Sequence, residues 1–477
     1  MNNDMLAMSL CEIAEAIRKR KVSSLEVTEA VISRAQQLQT TLNGFIFLDA
    51  EQALKAARQA DELQARGEAT GPLHGIPLAH KDMFYRAGRA STCGSRLRKE
   101  FVPNYTSTVL SRLDEAGALD LGGLNMSEFA CNPFGLNILV GRACNPWNPD
   151  YISGGSSSGS GVTVAARILY GALGSDTGGS VRLPAAICGV VGLLPTNTRV
   201  SRYGVMPLSF SLDNAGPLAR TVRDCARLTQ VIAGFDPMDP TSSTREVPNY
   251  EININAPIKG VRIGLPVQHH GTRLASDVRA ALEASIKVFR EHGAEVLEIQ
   301  TPEPEPFDVL ANTIILSEAA AIHARWLREQ SEEYTPIVRE RLEFGFSFPA
   351  VKYVEALSLR GNLLNDYLDK AFTKVDVLHL PMLSEPVPTM ASIEKMVNAG
   401  PDLSFNLAMH TRLFNYLGLP SLSIPCGFSN NGLPVGFQLV GAPFSEDRLF
   451  NLGHVFQSAT DHHWSVPDLL SSSTNSH

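Results

Sequence analysis

The sequence predicts an α/β fold in which helices cover both faces of a large mixed β-sheet. Short apolar segments with strand character alternate along the chain with segments of helical periodicity. This alternation is typical of sheets that are covered on both faces. The chain has 477 residues, of which 44% are hydrophobic, enough for one large core. The clearest examples are the predicted helices 107–116 and 277–292 and the predicted strands 118–124, 261–265 and 294–299.

The first 70 residues are predicted to be mainly helical and to have a structural role, since no catalytic motif lies among them. Two Ser-x-x-Glu capping boxes, starting at Ser9 and Ser23, mark the first turns of two helices. We expect residues 1–470 to form a single domain, with the N-terminal helices (1–70) as part of it. The Ser- and Asn-rich residues 471–477 are expected to form a frayed tail.

Composition argues against several classes of function. The net charge is −8 and no dense stripe of Lys and Arg stands out, which argues against a nucleic-acid partner. The seven cysteines are scattered without a C-x-x-C pair, as expected of free thiols in the cytoplasm. No metal-binding pattern is present, and no apolar run approaches the length of a membrane span. We therefore expect a cytoplasmic protein without metal, cofactor or membrane.

Two Ser/Gly clusters form the centre of the sequence. Residues 154–161 read GGSSSGSG, residues 174–180 read GSDTGGS, and the apolar segment 162–173 between them is predicted to be a buried helix. Glycines let backbone N–H groups crowd around one point, and serines bring hydroxyl groups to the same point. A hydroxyl nucleophile beside amide donors is what acyl transfer requires. The alternative is a pair of tight turns without chemistry.

Lys81 follows the short apolar strand predicted over residues 76–79. A lysine at the end of a buried strand has two interpretations. It extends its amine to solvent or pairs with a carboxylate such as Asp82. Alternatively, its amine is desolvated, which lowers its pKa and lets it act as a base. The residue alone favours the first interpretation.

Several separated motifs, in order, resemble the amidase signature family. The resemblance covers about residues 9–452, and Ser156 and Ser180 stand at the family's spacing. The motifs are GIPLAHKD, NMSEF, NPWNP, GGSSSGS, GSDTGGSVRLPA, SRYGVMPLSFSLDNAGPLART, GLPSLSIPCGF and GLPVGFQLVG.

The resemblance implies the amidase signature fold and an amide hydrolase or amidotransferase with a Ser–cisSer–Lys triad. Ser180 would be the nucleophile that forms an acyl-enzyme, Ser156 the bridging serine after a cis peptide bond, and Lys81 the base. The remaining implied residues are the oxyanion-hole donors, which are the backbone N–H groups of Thr177, Gly178, Gly179 and Ser180, and the bracing residues Ser157, Asp176 and Arg182.

Two positions depart from the family pattern. Ser158 stands where glycine is usual, and His80 replaces an apolar residue before Lys81. Because successive strand residues face opposite sides, His80 is expected to point away from Lys81.

Three other interpretations compete with an amidase. The pentapeptide 155–159 matches the G-x-S-x-G elbow of α/β-hydrolases with Ser157 as nucleophile, but residues 145–150 make a poor preceding strand. A glutaminase subunit of a tRNA amidotransferase would carry an acid shortly before its GLP motif, and residues 407–417, LAMHTRLFNYL, contain none. A non-enzymatic binding protein is disfavoured because the triad is intact. A stand-alone amidase is therefore the preferred interpretation.

The expected partner is a small-molecule amide, with no nucleic acid and no membrane, and a homodimer is compatible with the family. Apolar and aromatic residues in the loop regions favour a hydrophobic or aryl amide or anilide, and a ureido or carbamoyl compound is the alternative. The candidate substrate-binding residues are Asn125, Met126, Phe134 and Ile138.

Overall fold

The computed structural model describes residues 2–69, 71–271, 273–399 and 406–471. Within these residues, eleven strands form one sheet in the order β1-β3-β2-β4-β6-β5-β10-β11-β9-β7-β8. The strands are β1 Phe45–Leu48, β2 Pro77–Lys81, β3 Leu119–Leu124, β4 Gly171–Asp176, β5 Val191–Leu194, β6 Asn214–Ala219, β7 Arg262–Pro266, β8 Glu295–Ile299, β9 Val377–Pro381, β10 Ser421–Phe428 and β11 Pro434–Gly441.

Helices surround this sheet. Both predicted capping boxes are present, because the Ser9 and Ser23 hydroxyls accept from the backbone N–H three residues on while Glu12 and Glu26 return the bond. The helices are α1 Asn2–Ala7, α2 Leu10–Arg18, α3 Ser24–Leu42, α4 Ala50–Arg66, α5 Thr108–Glu115, α6 Ser158–Ala165, α7 Arg182–Cys188, α8 Val222–Ile232, α9 Val267–His270, α10 Ser276–Glu291, α11 Pro304–Glu329, α12 Pro336–Phe344, α13 Ala350–Ala371, α14 Met390–Ala399, α15 Arg412–Leu417, α16 Glu446–Ser458 and α17 Asp468–Ser471.

The sheet is mixed, as predicted. β2 runs parallel to β3 and β4, and β7 runs parallel to β8 and β9. β4, β6, β5, β10 and β11 pair antiparallel in the middle. One hydrophobic core extends from Leu6 to Leu470 along this sheet. The single domain over 1–470 stays a prediction, and of the predicted tail all but Ser471 lies outside the described residues.

The central segment differs from its prediction. The helix α6 ends at Ala165, so the predicted helix over 162–173 is wrong from residue 166 onward, and β4 begins at Gly171. Arg167 adopts a left-handed conformation with φ 52°, which ends the helix and turns the chain toward the sheet. An added Cβ on Gly171 would lie 2.6 Å from Leu228, so glycine is needed where the strand starts. Both Ser/Gly clusters are consequently held at the ends of sheet-packed elements.

The helix α11 is long, with 26 residues, and largely apolar. It is the one helix among the described residues that could cross a membrane by length and composition, but 56% of its most apolar window is buried inside the protein. Burial of this extent explains the composition as that of a core helix.

Candidate active site

Lys81 is the last residue of β2 and has no exposed surface. Its Nζ donates hydrogen bonds to Ser156 Oγ at 2.6 Å and to Ser175 Oγ at 2.8 Å. Asp82 turns away and accepts from the Thr92 N–H and hydroxyl. Burial lowers the pKa of Lys81 to about 7, although the Asp213 and Asp176 carboxylates act in the opposite direction. The structure therefore supports the desolvated amine over the ion-paired one.

Ser156 lies between the lysine and the second Ser/Gly cluster. It is fully buried, and the peptide bond between Gly155 and Ser156 is cis, as the family resemblance implies. Its carbonyl accepts from the N–H of Ser127 at 3.1 Å. An added Cβ on Gly155 would lie 2.6 Å from the backbone nitrogen of Gly135, so this turn has no space for a side chain.

Ser157 joins the two clusters. Its N–H donates to the Ser180 carbonyl at 3.3 Å, while its hydroxyl donates to the Ser175 carbonyl at 3.2 Å and accepts from the Ser175 N–H at 3.3 Å. These bonds hold the backbone of Ser180 beside that of Ser156. Ser180 itself is only partly buried, and a nucleophile that must reach its substrate requires such exposure.

Asp176 and Arg182 brace the loop that carries Ser180. Both side chains are fully buried and joined by an ion pair of 3.0 Å between Oδ2 and Nε. Burial alone would raise the pKa of Asp176, but the Arg182 guanidinium and the Asn415 amide outweigh it and hold that pKa below its usual value. The Arg182 guanidinium also donates hydrogen bonds to Asn415 Oδ1 at 2.7 Å and to Gln438 Oε1 at 3.2 Å.

One of the four predicted oxyanion donors is engaged within the protein. The Gly179 N–H donates to Asp176 Oδ1 at 2.7 Å, so this N–H shapes the loop and does not point into the site. The N–H groups of Thr177, Gly178 and Ser180 have no acceptor within the described part of the chain. The Thr411 hydroxyl holds the Gly178 carbonyl at 2.7 Å and thereby fixes the orientation of this loop. Three donors, and not four, stay candidates for the oxyanion hole.

The four predicted substrate-binding residues have other surroundings. The Asn125 amide donates to the carbonyls of Asn43 and Gly141, and Met126 is fully buried. Phe134 packs in a small apolar cluster with Ile152 and Leu183, and Ile138 is 64% exposed. The aromatic residues that suggested an aryl pocket also divide between packing and solvent, since Phe307 is buried against Tyr367 and Tyr416 while Phe344 and Phe346 are exposed. No aryl pocket follows from these positions.

Two arginines near the site were not found by sequence reasoning. Arg341 of α12 and Lys81 both lie within electrostatic range of the buried Cys131 thiol. Arg341 also faces Arg412 and forms no ion pair with any described residue, whereas Arg412 pairs with Asp308 at 2.5 Å. An added Cβ on Gly178 would touch Arg412 at 3.4 Å, which places this arginine against the loop of Ser180. Arg341 is therefore a cation without an ion-pair partner among the described residues, within electrostatic range of Cys131.

The two departures from the family pattern have structural roles. His80 is buried facing away from Lys81, where its Nε2 accepts from Arg89 at 2.5 Å and lies 3.6 Å from Asp120. The Ser158 hydroxyl donates to the Asn125 carbonyl at 3.4 Å. The expectation that His80 points away from the base is confirmed.

The cavities are distributed unevenly around the site. One cavity, of about 710 Å³, lies between α2 and α16, and no residue of the Ser/Gly clusters lines it. A second cavity, of about 310 Å³, is lined by Ser175, Asp213 and Met83 among other residues. Among the described residues, no group of three or more His, Cys, Asp or Glu side chains is arranged to hold a metal ion.

Comparison with known proteins decides the family. The family model described as Amidase matches residues 26–450. The chain belongs to the amidase signature family. It is 39% identical to a glutamyl-tRNA(Gln) amidotransferase subunit of Nitrosococcus oceani, a match that covers 96% of this chain and 99% of the relative. The protein is thus an enzyme of the amidase family, and its general reaction is cleavage of an amide bond.

Solved structures agree with this placement. The structure described as revealing, through an unexpected vestigial protein complex, the evolutionary origins of an s-triazine catabolic enzyme is 30% identical, with a TM-score of 0.88 and coverage of 95% of this chain and 98% of that one. The corresponding glutamyl-tRNA(Gln) amidotransferase subunit of Thermotoga maritima is 27% identical, with a TM-score of 0.81 and coverage of 97% and 98%.

The exclusion of a nucleic-acid partner was wrong. Full-length relatives at 39% and 40% identity are subunits of enzymes named for their action on tRNA. One subunit of such an enzyme does not itself need the basic stripe of a dedicated nucleic-acid-binding domain. The net charge of −8 belongs to this chain alone. It bears on whether the isolated chain attracts nucleic acid, and it does not show which substrate a complex of several subunits acts on.

Proposed function

We propose that this chain hydrolyses the side-chain amide of glutamine and supplies the ammonia within a tRNA-dependent amidotransferase. The main support for amide hydrolysis is the buried amine of Lys81, whose Nζ lies 2.6 Å from Ser156 Oγ, near the loop that contains Ser180. The choice of glutamine rests on the full-length likeness to subunits of glutamyl-tRNA(Gln) amidotransferases.

The proposed reaction uses the triad as a proton path. Neutral Lys81 takes the Ser156 hydroxyl proton while Ser156 takes that of Ser180, and Ser180 Oγ attacks the amide carbon. The N–H groups of the Ser180 loop stabilise the oxyanion. The proton then returns through Ser156 to the leaving nitrogen, which departs as ammonia. Water cleaves the acyl-enzyme by the same path and restores Ser180.

Arg341 supports a substrate with a carboxylate. Its guanidinium has no ion-pair partner among the described residues, and a planar guanidinium binds carboxylates through two parallel hydrogen bonds. A bound carboxylate would compensate the cation beside Cys131. This charge favours glutamine over an uncharged aryl amide or anilide, whose predicted pocket residues pack elsewhere.

A second candidate follows from one observation. The segment 406–417 holds no acid before the GLP motif, where glutaminase subunits carry one to help hold glutamine. A stand-alone hydrolase of an amide or ureido compound that bears a carboxylate but no ammonium group would need no such acid. The likeness to a structure associated with s-triazine catabolism is compatible with this candidate.

Two substrates that differ by one group distinguish the candidates. Ammonia release would be measured from glutamine, from glutaramate, which lacks the α-amino group, and from a ureido compound, and aniline release would be measured from an anilide. A higher kcat/KM for glutamine supports the amidotransferase role, which glutamine-dependent amidation of glutamyl-tRNA with the partner subunits would then test. A higher value for glutaramate or the ureido compound, or for the anilide, would overturn the glutamine proposal.

Arg341→Met tests the carboxylate subsite. The expected result is a rise in KM of about tenfold or more with a smaller change in kcat, because an ion pair to the substrate is lost. Arg339→Met, on the same helix, is the matched control and should leave both constants unchanged. Equal effects of the two substitutions would contradict a role of Arg341 in binding.

A further inference from the structure

Asp213 is a buried carboxylate for which the proton path above has no role. Its Oδ1 accepts from the Thr177 hydroxyl at 2.5 Å, and its Oδ2 accepts from the N–H groups of Leu208 at 2.8 Å and Ser209 at 3.0 Å. Its exposed fraction is 8%. Within the described residues it forms no ion pair. Burial raises the pKa of Asp213, although the bonds from Thr177, Ser209 and Leu208 and, at longer range, the charge of Arg202 act in the opposite direction.

Two carboxylates act on Lys81, and they are not equivalent. Asp176 is neutralised by its ion pair with Arg182 at 3.0 Å, whereas Asp213 has no such counter-ion. The other titratable groups that act on the amine are the thiols of Cys93 and Cys131, which stay protonated because burial raises the pKa of each to about 12. In its ionised form, Asp213 is therefore the carboxylate acting on Lys81 that has no ion-pair partner among the described residues.

The second cavity is shared by Asp213 and by Ser175, which is a hydrogen-bond partner of Lys81. Asp213 and Ser175 both line the cavity of about 310 Å³, and the Ser175 hydroxyl accepts from Lys81 Nζ at 2.8 Å. Thr177, which donates to Asp213, also carries one of the three candidate oxyanion N–H groups. Asp213 thus contacts the oxyanion loop directly and shares a cavity with Ser175, the hydrogen-bond partner of Lys81.

We propose that Asp213 is a positioning residue for the proposed serine mechanism, which holds the oxyanion loop through Thr177 and sets the fraction of Lys81 that is ready to accept a proton. A negative charge near the amine stabilises the ammonium form. Asp213 therefore opposes the effect of burial on the pKa of Lys81. The acid limb of the pH–rate profile, in which the rate rises as Lys81 loses its proton, then lies at higher pH than burial of Lys81 alone would place it. The bonds to Leu208 and Ser209 fix the distance at which this charge acts.

The test uses a probe that does not depend on the identity of the substrate. A fluorophosphonate reacts with an activated serine when Ser180 Oγ bonds to phosphorus, fluoride leaves, and the hydroxyl proton passes through Ser156 to Lys81. The second-order rate of labelling of Ser180 is measured against pH in the full chain. For the wild-type chain, the rate should rise through about pH 7, since only the neutral Lys81 amine accepts a proton.

Asp213→Asn should move this acid limb to lower pH by about one unit, because a charge that favours the ammonium is removed. At pH values below the limb, the variant should then label about tenfold faster relative to its own plateau. Asp236→Asn is the matched control, since Asp236 also accepts from two hydroxyl groups, of Ser201 and Thr108, but is not among the charges that act on Lys81. The control should leave the limb in place.

An asparagine amide could disrupt folding by facing the N–H groups of Leu208 and Ser209. Thr177→Val provides a second variant, because loss of the hydroxyl favours the uncharged form of Asp213 and should move the limb in the same direction by a smaller amount. An unmoved limb, or a shift to higher pH, in either folded variant would overturn the proposal. Absence of labelling in the wild-type chain would instead overturn the serine mechanism on which it rests.

Discussion

At the scale of single residues, the site depends on how each buried charge is balanced. Lys81 is kept available as a base by burial, while Asp176 is kept ionised by Arg182. The two effects have opposite signs, because desolvation disfavours the charged form of a group and an ion pair favours it. Burial thus favours the uncharged amine of Lys81 at the end of β2, and the Arg182 ion pair favours the charged carboxylate of Asp176 at the end of β4.

Arg182→Met is expected to destabilise the fold by about 3–5 kcal/mol, because it leaves the Asp176 carboxylate buried without its counter-ion. The depressed pKa of Asp176 in the folded state contributes stability that is present above its unfolded pKa and lost as pH falls through the folded value. The variant lacks that contribution. Its loss of stability, measured by urea unfolding, should therefore be greatest near neutral pH and smaller in acid. A loss below about 1 kcal/mol at neutral pH would contradict this role.

At the scale of elements, helices and strands were predicted best where a local sequence pattern marks where the element begins or ends. The capping boxes at Ser9 and Ser23 were found because a helix start is a local pattern. The apolar run 162–173 was assigned to one helix because continuous apolar residues do not distinguish a buried helix from a buried strand. Motif resemblance located Lys81, Ser156 and Ser180.

Asp213 and Arg341 were missed for a different physical reason. Asp213 acts through a hydrogen bond to Thr177, 36 positions earlier in the sequence. Arg341 belongs to α12, which packs on α11, more than a hundred positions from the Ser/Gly clusters in the sequence. Arg341 has no local pattern that separates it from a surface charge. Asp213 lies within the motif over residues 201–221, but the motif does not show that its carboxylate contacts Thr177, and only the folded structure does.

Gly179→Ala is predicted to abolish activity while leaving the rest of the fold intact. Gly179 has φ of 129°, and an added Cβ would lie 2.5 Å from Thr411 Oγ1, so the loop of Ser180 would have to move. Gly88→Ala is the matched control, with φ of 77° and no atom within 4 Å of the added Cβ. Comparable activity of the two variants in an amide-hydrolysis assay, with both chains folded by circular dichroism, would contradict the predicted loop geometry.

At the scale of the whole molecule, one sheet and one continuous core predict a single cooperative unit. The strands from β1 to β11 belong to the same sheet, so separate halves would each expose an unpaired edge and part of the core. Trp147, Trp326 and Trp464 lie in three different regions and report on each. Fluorescence and far-ultraviolet circular dichroism should therefore give coincident urea transitions. Two resolved transitions would contradict the single domain.

The central claim is that Ser180 forms an acyl-enzyme with a carboxylate-bearing amide, for which glutamine is the proposed substrate. The most direct measurement is rapid acid quenching of the chain during turnover of glutamine, followed by digestion and mass spectrometry of the peptide that contains Ser180. We predict a glutamyl ester on Ser180 that is absent from Ser180→Ala and from Lys81→Met. Ammonia release at an undiminished rate from the Ser180→Ala variant, or an adduct on another residue, would contradict the account.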